Sequence, residues 1–307
     1  MSLHQSSGRW RLGLALSLLT VLLWGILPIA LTVTLQVLDV YTVIWFRFLV
    51  SFFLLAVYLG IRGKLPKLEQ LFFASGKLLA IATIFLGINY FFFMQGLALT
   101  SPANAEVLIQ LSTLLLGLGG LVIFKERYRL YQWIGISVLT CGYLLFFGEQ
   151  LRNLITAHGT YILGSVLIVL GAAAWAIYAL AQKQLLQSLS SSSIMLMIYG
   201  GCALLFTPLA RVKSLFILDP LHLGILLFCA LNTLIAYSAF AESLEHWEAS
   251  RVSAVLALAP IVTLISVGVV SVIAPYWIPA EHFTFIAILG AALVVTGSVA
   301  IALVKTD

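Results

Sequence analysis

The sequence predicts an all-α membrane protein, with ten transmembrane helices arranged as two inverted five-helix repeats. Three observations predict it. First, 62% of the 307 residues are hydrophobic and only 9% are charged, whereas soluble domains carry roughly 25% charged residues. So few charges cannot cover a water-facing surface, and the chain needs a solvent as apolar as its own side chains. Second, the apolar residues fall in ten runs close to the roughly 20 residues that cross a bilayer as a helix. Third, the second half of the chain echoes the first.

The first run, 12–33, follows Arg9 and Arg11 much as a signal peptide follows its basic start. It is longer than a typical signal core, and no small-residue cleavage site closes it, so it reads as the first spanning helix. Further runs lie at 41–61, 76–98 and 102–124. The last of these opens on Thr100-Ser101-Pro102, a hydroxyl cap followed by proline at the first helical position. Runs at 130–148, 160–181, 193–210, 221–243, 250–273 and 283–304 complete the set, with Pro208 and Pro275 interrupting the seventh and ninth late. In lipid only helices and closed barrels satisfy the backbone. Continuous apolar runs exclude a barrel, whose strands alternate every second residue.

Positive charge orients the chain. With the N-terminus inside, the cytoplasmic side holds Arg9, Arg11, Arg62, Lys64, Lys67, Lys77, Lys125, Arg127, Arg129, Lys183, Arg251 and Lys305. The outer side holds Arg152, Arg211 and Lys213, and Arg47 stays within the membrane. Both termini are therefore expected in the cytoplasm, and low loop content fits a bacterial inner membrane. The net charge of +5 belongs to these flanks rather than to a basic stripe, so nucleic acid is not an expected partner. Cys141, Cys202 and Cys229 lie in apolar segments without a CxxC pair and read as packing residues. His4, His158, His222, His246 and His282 are scattered at predicted ends and loops. No phosphate-binding, zinc-protease or nucleophile-elbow motif occurs, and neither cofactor nor metal is expected.

The duplication is weak position by position but ordered. At an offset of 147, Tyr90, Phe93, Leu97 and Ala105 fall on Tyr237, Phe240, Leu244 and Val252. At 151, Trp24 falls on Trp175 and Ala30 on Ala181. At 155, Glu126, Gly135 and Gly142 fall on Glu281, Gly290 and Gly297, after extra residues around Pro275-Tyr276-Trp277-Ile278-Pro279. The units are 1–150 and 151–307. Five helices is an odd number, so the second unit enters the membrane upside down. Two near-equivalent halves can exchange conformations, which turns an outward-open cavity into an inward-open one. A carrier needs that exchange, whereas a channel or membrane enzyme does not.

Trp24-Gly25, Phe46-Arg47-Phe48, Gly96-Leu97-Ala98-Leu99-Thr100-Ser101, Lys125-Glu126-Arg127 and the spaced Gly135 and Gly142 stand in the first half. Ala173-Ala174-Trp175-Ala176-Ile177-Tyr178, Glu248-Ala249-Ser250-Arg251-Val252 and Ala259-Pro260 stand in the second. In these features, over about 12–304, the chain resembles the EamA-like ten-helix transporters of the drug/metabolite transporter superfamily. The resemblance implies secondary transport of a small organic solute, often by export. Thr113 departs from it, standing where the first repeat often has the proline that Pro260 supplies in the second. The fourth helix is therefore expected to be straighter than the ninth.

Charges inside hydrocarbon cost several kcal/mol unless paired or wet, so they usually face the bundle interior. Arg47 lies about 9 Å and Glu106 about 6 Å below the outer ends of their helices, at 1.5 Å per residue. The two are expected to meet near the outer mouth as a gate, directly or through water. Snorkelling of Arg47 to head groups, with Glu106 in interfacial water, is the alternative. Glu106 is also the carboxylate placed to carry a proton if transport is proton-coupled. Asn89, Tyr90 and Gln95 on the third helix, with Asn232, Thr233 and Tyr237 on the eighth, either line a cavity or bridge helices. Trp24, Trp175 and Tyr178 would add aromatic walls. Such a cavity suits amino acids, aromatic amines or nucleoside-like solutes. Trp45, Trp133, Trp247 and Trp277 sit near helix ends and are expected in interfacial belts. Glu242, Glu245 and Glu248 recur every third residue and read as a solvated turn or an acidic exit. Gly117 and Gly120, like Gly135 and Gly142, read as flat packing surfaces.

The expected partners are a small-molecule solute and the lipid bilayer. Oligomeric state is left open, a homodimer included. A lipid-modifying membrane enzyme would need clustered His, Asp or Glu at the interface, and only 242–248 comes near. A receptor or scaffold would usually need a sizeable soluble part, and the longest gap between runs is about 14 residues.

Overall fold

The computed structural model describes residues 6–66, 68–126, 130–156, 159–278 and 284–303. Lys67, Arg127, Arg129, Glu281 and Lys305, with His4, His158, His282 and Pro279, lie outside the described residues. Among the described residues there are twelve α-helices, one 3-10 segment and no strand. They run α1 Trp10–Leu35, α2 Val40–Ile61, α3 Leu68–Leu99, α4 Pro102–Ile109, α5 Leu111–Val122 and α6 Leu130–Thr156. After these come α7 Gly159–Leu185, α8 Ser191–Phe206, the 3-10 segment Val212–Ile217 and α9 Pro220–His246. The chain closes with α10 Ala249–Leu256, α11 Ala259–Ile273 and α12 Phe285–Leu303. Among the described residues, seven spans are long and apolar enough to cross a membrane, counting Pro102–Val122 and Ala249–Ile273 as one each. Three further apolar stretches, Leu130–Leu145, Ser191–Phe206 and Ile288–Gly297, are shorter.

Polar caps start several of these helices where the sequence supplies them. Asp39 accepts from the Thr42 amide at α2, and Ser190 from Ser193 at α8. Asp219 accepts from His222 at α9, ahead of Pro220. The predicted cap at α4 forms as read, with Ser101 Oγ accepting from the Asn104 amide ahead of Pro102. Each cap satisfies an amide that has no partner inside its helix.

The expectation of a straight fourth helix is overturned. It breaks at Gln110, between α4 and α5, just as the ninth breaks at Ala257 and Leu258, between α10 and α11. Gln110 and Ala257 are matched by the 147 offset. Pro260 has no amide to continue the ladder. In the first half Thr113 performs a related service by another chemistry, donating its hydroxyl to the Gln110 carbonyl at 2.8 Å. A hydroxyl that captures a nearby carbonyl competes with the helix ladder, so proline is not required for the break.

Helix pairing follows the small residues. A Cβ on Gly96 of α3 would meet the Gly164 carbonyl of α7 at 2.6 Å, and one on Gly164 would meet the Gly96 carbonyl at 3.1 Å. The matched positions in α1 and α9 also touch: a Cβ on Gly13 would lie 3.6 Å from the Ser243 carbonyl. Asn89 donates to the Gly171 carbonyl between α3 and α7, and at the matched pair Thr20 donates to the Ala236 carbonyl between α1 and α9. Between α6 and α12 the contacts cross. A Cβ on Gly135 would meet the Gly297 carbonyl at 3.0 Å, and one on Gly142 the Gly290 carbonyl at 2.8 Å. The two helices are therefore antiparallel, and each contact maps onto the other when the matched positions are exchanged. Self-complementary contacts of this kind are what a two-fold relation produces.

Trp247 corrects another expectation. It is buried rather than interfacial, with its side chain against Gly13 of α1, because the close approach of α1 and α9 leaves room there only when one partner is glycine.

Candidate functional site

A cavity of about 80 Å³ lies where α1, α2, α3, α4, α5, α7, α9, α10 and the start of α11 converge. At the 10–15 Å³ that a water centre needs, it has room for roughly five to eight waters. The break after α4 points Gln110, Ser112 and Thr113 at this space, together with Glu106 and Ile109. Arg47, Asn89, Tyr90, Phe93, Trp24, Trp175 and Tyr237 also line it.

The aromatic wall is built from matched positions. Trp24 meets Trp175 edge to face with ring centroids 5.7 Å apart, and Tyr90 lies 5.6 Å from Tyr237. Residues matched by the repeat touch each other only near the axis that relates the halves. The two aromatic pairs therefore sit near that axis, while most of the cavity's other lining residues, Arg47, Glu106 and Gln110 among them, come from the first half. Trp24 also meets Tyr237 at 5.0 Å. Its indole N–H is buried and meets no acceptor among the described residues, and buried donors in folded proteins are ordinarily satisfied.

Arg47 is 2% exposed. Its Nε donates to Thr233 Oγ1 at 2.9 Å, and its outer nitrogens approach Tyr90 Oη at 3.4 Å and Met94 Sδ at 3.9 Å. The guanidinium carbon stands 4.7 Å from the centre of the Tyr90 ring. These contacts hold the group in place, but a hydroxyl, a phenol and a thioether do not cancel its charge. Glu106, 5% exposed, accepts from Gln110 Nε2 at 2.9 Å. Gln110 in turn receives the Tyr143 hydroxyl at 3.5 Å.

The direct Arg47–Glu106 pair anticipated from the sequence does not form. Both side chains line the same cavity, but Arg47 is drawn toward α3 and α9 by Tyr90 and Thr233, and Glu106 toward its own helix by Gln110. Depth along a helix can be read from a sequence, whereas rotation about the helix axis cannot.

Of the residues anticipated to bind solute, Trp24, Asn89, Tyr90, Trp175 and Tyr237 reach the cavity. Three do not line it. Tyr178 is fully buried in the layer behind, with its ring 6.1 Å from Tyr237 and its hydroxyl directed to Met195 Sδ. Asn232 points away and donates to the Leu23 carbonyl of α1 at 2.6 Å. Gln95 is half-buried on another face of α3. Gln110 was missed. Its signal was an amide one turn beyond Glu106 inside an otherwise apolar run, a spacing that puts both side chains on one face.

A convergent polar and aromatic cavity thus lies inside a bundle of membrane-length helices. The EamA-like transporter family profile matches the chain twice, over residues 11–148 and 162–303, and the chain belongs to that family. An uncharacterized transporter of Haemophilus influenzae is 35% identical over 288 residues, covering 94% of each chain. The uncharacterized inner membrane transporter YhbE of Escherichia coli K12 is 34% identical over 290 residues, covering 94% of this chain and 90% of its own. A solved crystal structure superposes with a TM-score of 0.70 at 17% identity, covering 97% of this chain and 98% of that one; it shares the fold.

Proposed function

We propose that the chain is a secondary transporter for a small zwitterionic solute, an amino acid or a close relative, exported by alternating access. In this reading ten helices cross the membrane, the three shorter apolar stretches included. The units 1–150 and 151–307 are inserted in opposite directions, with both termini in the cytoplasm. The crossed glycine contacts between α6 and α12 support the opposed halves, and the excess of Lys and Arg at one set of helix ends supports the orientation. A homodimer is compatible with this arrangement.

One observation carries the choice of solute. Arg47 has no carboxylate, and Glu106 no cation, within ion-pair distance among the described residues, and both line one cavity. A buried ionisable group is ordinarily paired with an opposite charge or, like a carboxyl, neutralised by a proton until such a partner arrives. A solute that brings a carboxylate to Arg47 and an ammonium to Glu106 completes both, while the ring faces of Trp24, Trp175 and Phe93 take its apolar part. Uniform binding of this kind favours a molecule carrying both charges over one carrying either alone.

Flux through purified protein in liposomes tests this reading. Amino acids are expected to move faster than the amine or the carboxylic acid obtained by deleting one charged group, and both vesicle orientations report the direction. Equal transport of the single-charge analogues sinks the zwitterion reading, and absence of saturable flux across the panel sinks the carrier reading. Glu106→Gln provides a second test. A carboxyl that binds and releases a proton during the cycle makes flux depend on pH, and the amide is expected to flatten that dependence. Full retention of the pH profile excludes Glu106 as the proton carrier.

A further inference from the structure

We propose that Glu126, Lys183 and the first turn of α10 form a one-sided latch that holds one end of the bundle shut and sets the resting conformation. Calling that end cytoplasmic rests on the orientation given under Proposed function.

The carboxylate of Glu126 lies in the connection just past α5. Its Oε1 accepts from Lys183 Nζ at 2.5 Å and from the Ala249 amide at 2.9 Å, and its Oε2 accepts from the Ser250 amide at 3.0 Å. One side chain of the first half thus ties together α7 and α10 of the second. The Lys183 and Glu126 side chains are 2% and 8% exposed. The ammonium also stands 4.8 Å from the centre of the Phe124 ring. Burial pushes the Glu126 carboxyl up, but the neighbouring ammonium and the bonds from Ser250 outweigh it and hold the group below its ordinary range. It is anionic at neutral pH.

Local structure is arranged to place this carboxylate. Lys125 has φ +55°, the left-handed region that favours glycine. That turn lets the Glu126 amide reach back to the Gly120 carbonyl at 3.2 Å. Gly120 leaves the space: a Cβ there would lie 2.6 Å from Glu126 Oε2 and 3.3 Å from the Ser250 nitrogen. Gly120 and Gly117 thus allow the close packing read from the sequence, against Ser250 and Ser253 of α10, and Gly120 also leaves room for the carboxylate. The left-handed turn at Lys125 and the missing side chain at Gly120 together leave the carboxylate its place against α10.

The latch and the cavity lie at different depths. Along α7, cavity-lining Trp175 precedes Lys183 by about 12 Å at 1.5 Å per residue. Tyr178 and Phe240, both fully buried, pack against Trp175 with ring centroids 6.2 and 5.0 Å away. The repeat shows why the latch is one-sided. The positions matched to Lys183, Ala249 and Ser250 are Thr32, Pro102 and Ala103. Thr32 donates within its own helix to the Pro28 carbonyl, and Pro102 has no amide to give. A mirror latch at the opposite end would therefore lack the ammonium and one of the two amides. Two conformations that exchange the roles of the halves are not isoenergetic under these conditions, and the one closed at the Glu126 end is favoured.

Single-cysteine labelling of the full chain in liposomes tests the latch, with Cys141, Cys202 and Cys229 replaced by alanine. Ser253→Cys reports the region between latch and cavity, beside Gly117. Ser112→Cys reports the cavity wall. Lys183→Met removes the ammonium, and Gly120→Ala displaces the carboxylate without removing a charge. Each is expected to raise labelling of Ser253→Cys by a membrane-impermeant maleimide from the cytoplasmic side about tenfold, and to slow labelling of Ser112→Cys from outside. If Lys183→Met fails to insert, Glu126→Gln is read in its place. Unchanged rates at both cysteines in folded variants overturn the proposal. Faster labelling of Ser253→Cys from the outer side upholds the latch and reverses the orientation, so the two ideas fail separately.

Discussion

Arg47→Gln is expected to reduce saturable flux of a zwitterionic solute by roughly 30- to 1000-fold in kcat/KM, while thermal stability stays level or rises. The reasoning begins with cost. The guanidinium is buried, and its partners are Thr233, Tyr90 and Met94, none of them anionic. Such a group contributes little to folding, and its removal relieves an uncompensated charge. Its return comes when a carboxylate arrives. Charge-assisted hydrogen bonds contribute about 1.5–3 kcal/mol each, and a loss of about 2–4 kcal/mol is the stated range in rate. Arg47→Lys is expected to recover part of the flux, because it restores the charge without the planar fork. Flux within about threefold of the parent, in a chain with unchanged melting temperature, would remove Arg47 from the site. A large fall in melting temperature would instead make it a structural residue.

Gly297→Ala is expected to be among the most destabilising single-methyl changes in the chain. The added Cβ would lie 2.5 Å from the Leu139 nitrogen and 2.6 Å from the Gly135 carbonyl oxygen. Both are backbone atoms of α6 and cannot rotate aside, so the two helices must separate along their seam. In lipid the seam is held by packing rather than by a hydrophobic drive, so close approach is most of what it has. Overpacking costs typically about 1–3 kcal/mol and more where the backbone must move. A fall in melting temperature on the order of 5 °C or more follows, read by thermal unfolding in detergent. Gly268→Ala in α11 is the control. Nothing lies within 4 Å of its added Cβ, and alanine improves a helix interior by roughly 0.5–1 kcal/mol. Equal effects of the two changes would mean that the α6–α12 contact does not hold the bundle.

The bounds of the helices were legible in the sequence to within a few residues at most ends. Length and apolarity are local quantities, and a bilayer enforces them directly. The seventh run ended earlier than expected, at Phe206, where Thr207 and Pro208 turn the chain. The third began earlier, at Leu68, and the fifth ran on past 148 to Thr156. The repeat was legible too, and its offsets of 147 and 151 hold as contacts: Trp24 on Trp175, Tyr90 on Tyr237. The break at Gln110 was not, because a threonine hydroxyl there stands in for the proline that marks such a break elsewhere.

The sequence by itself determined that this is a membrane protein of the EamA kind, where its apolar helices lie, and which polar residues are too costly to face lipid. Those conclusions depend on neighbours within one helix and on the solvent around it. Only the tertiary structure decided which of those polar groups share a cavity. Rotation about each helix axis turned Asn232 and Tyr178 away, brought Gln110 in, and left Arg47 and Glu106 unpaired across one space. It also decided that Glu126, read from the sequence without a partner, closes on Lys183 and α10. Contacts between residues more than a hundred positions apart are set by how whole helices pack, and no local pattern carries them.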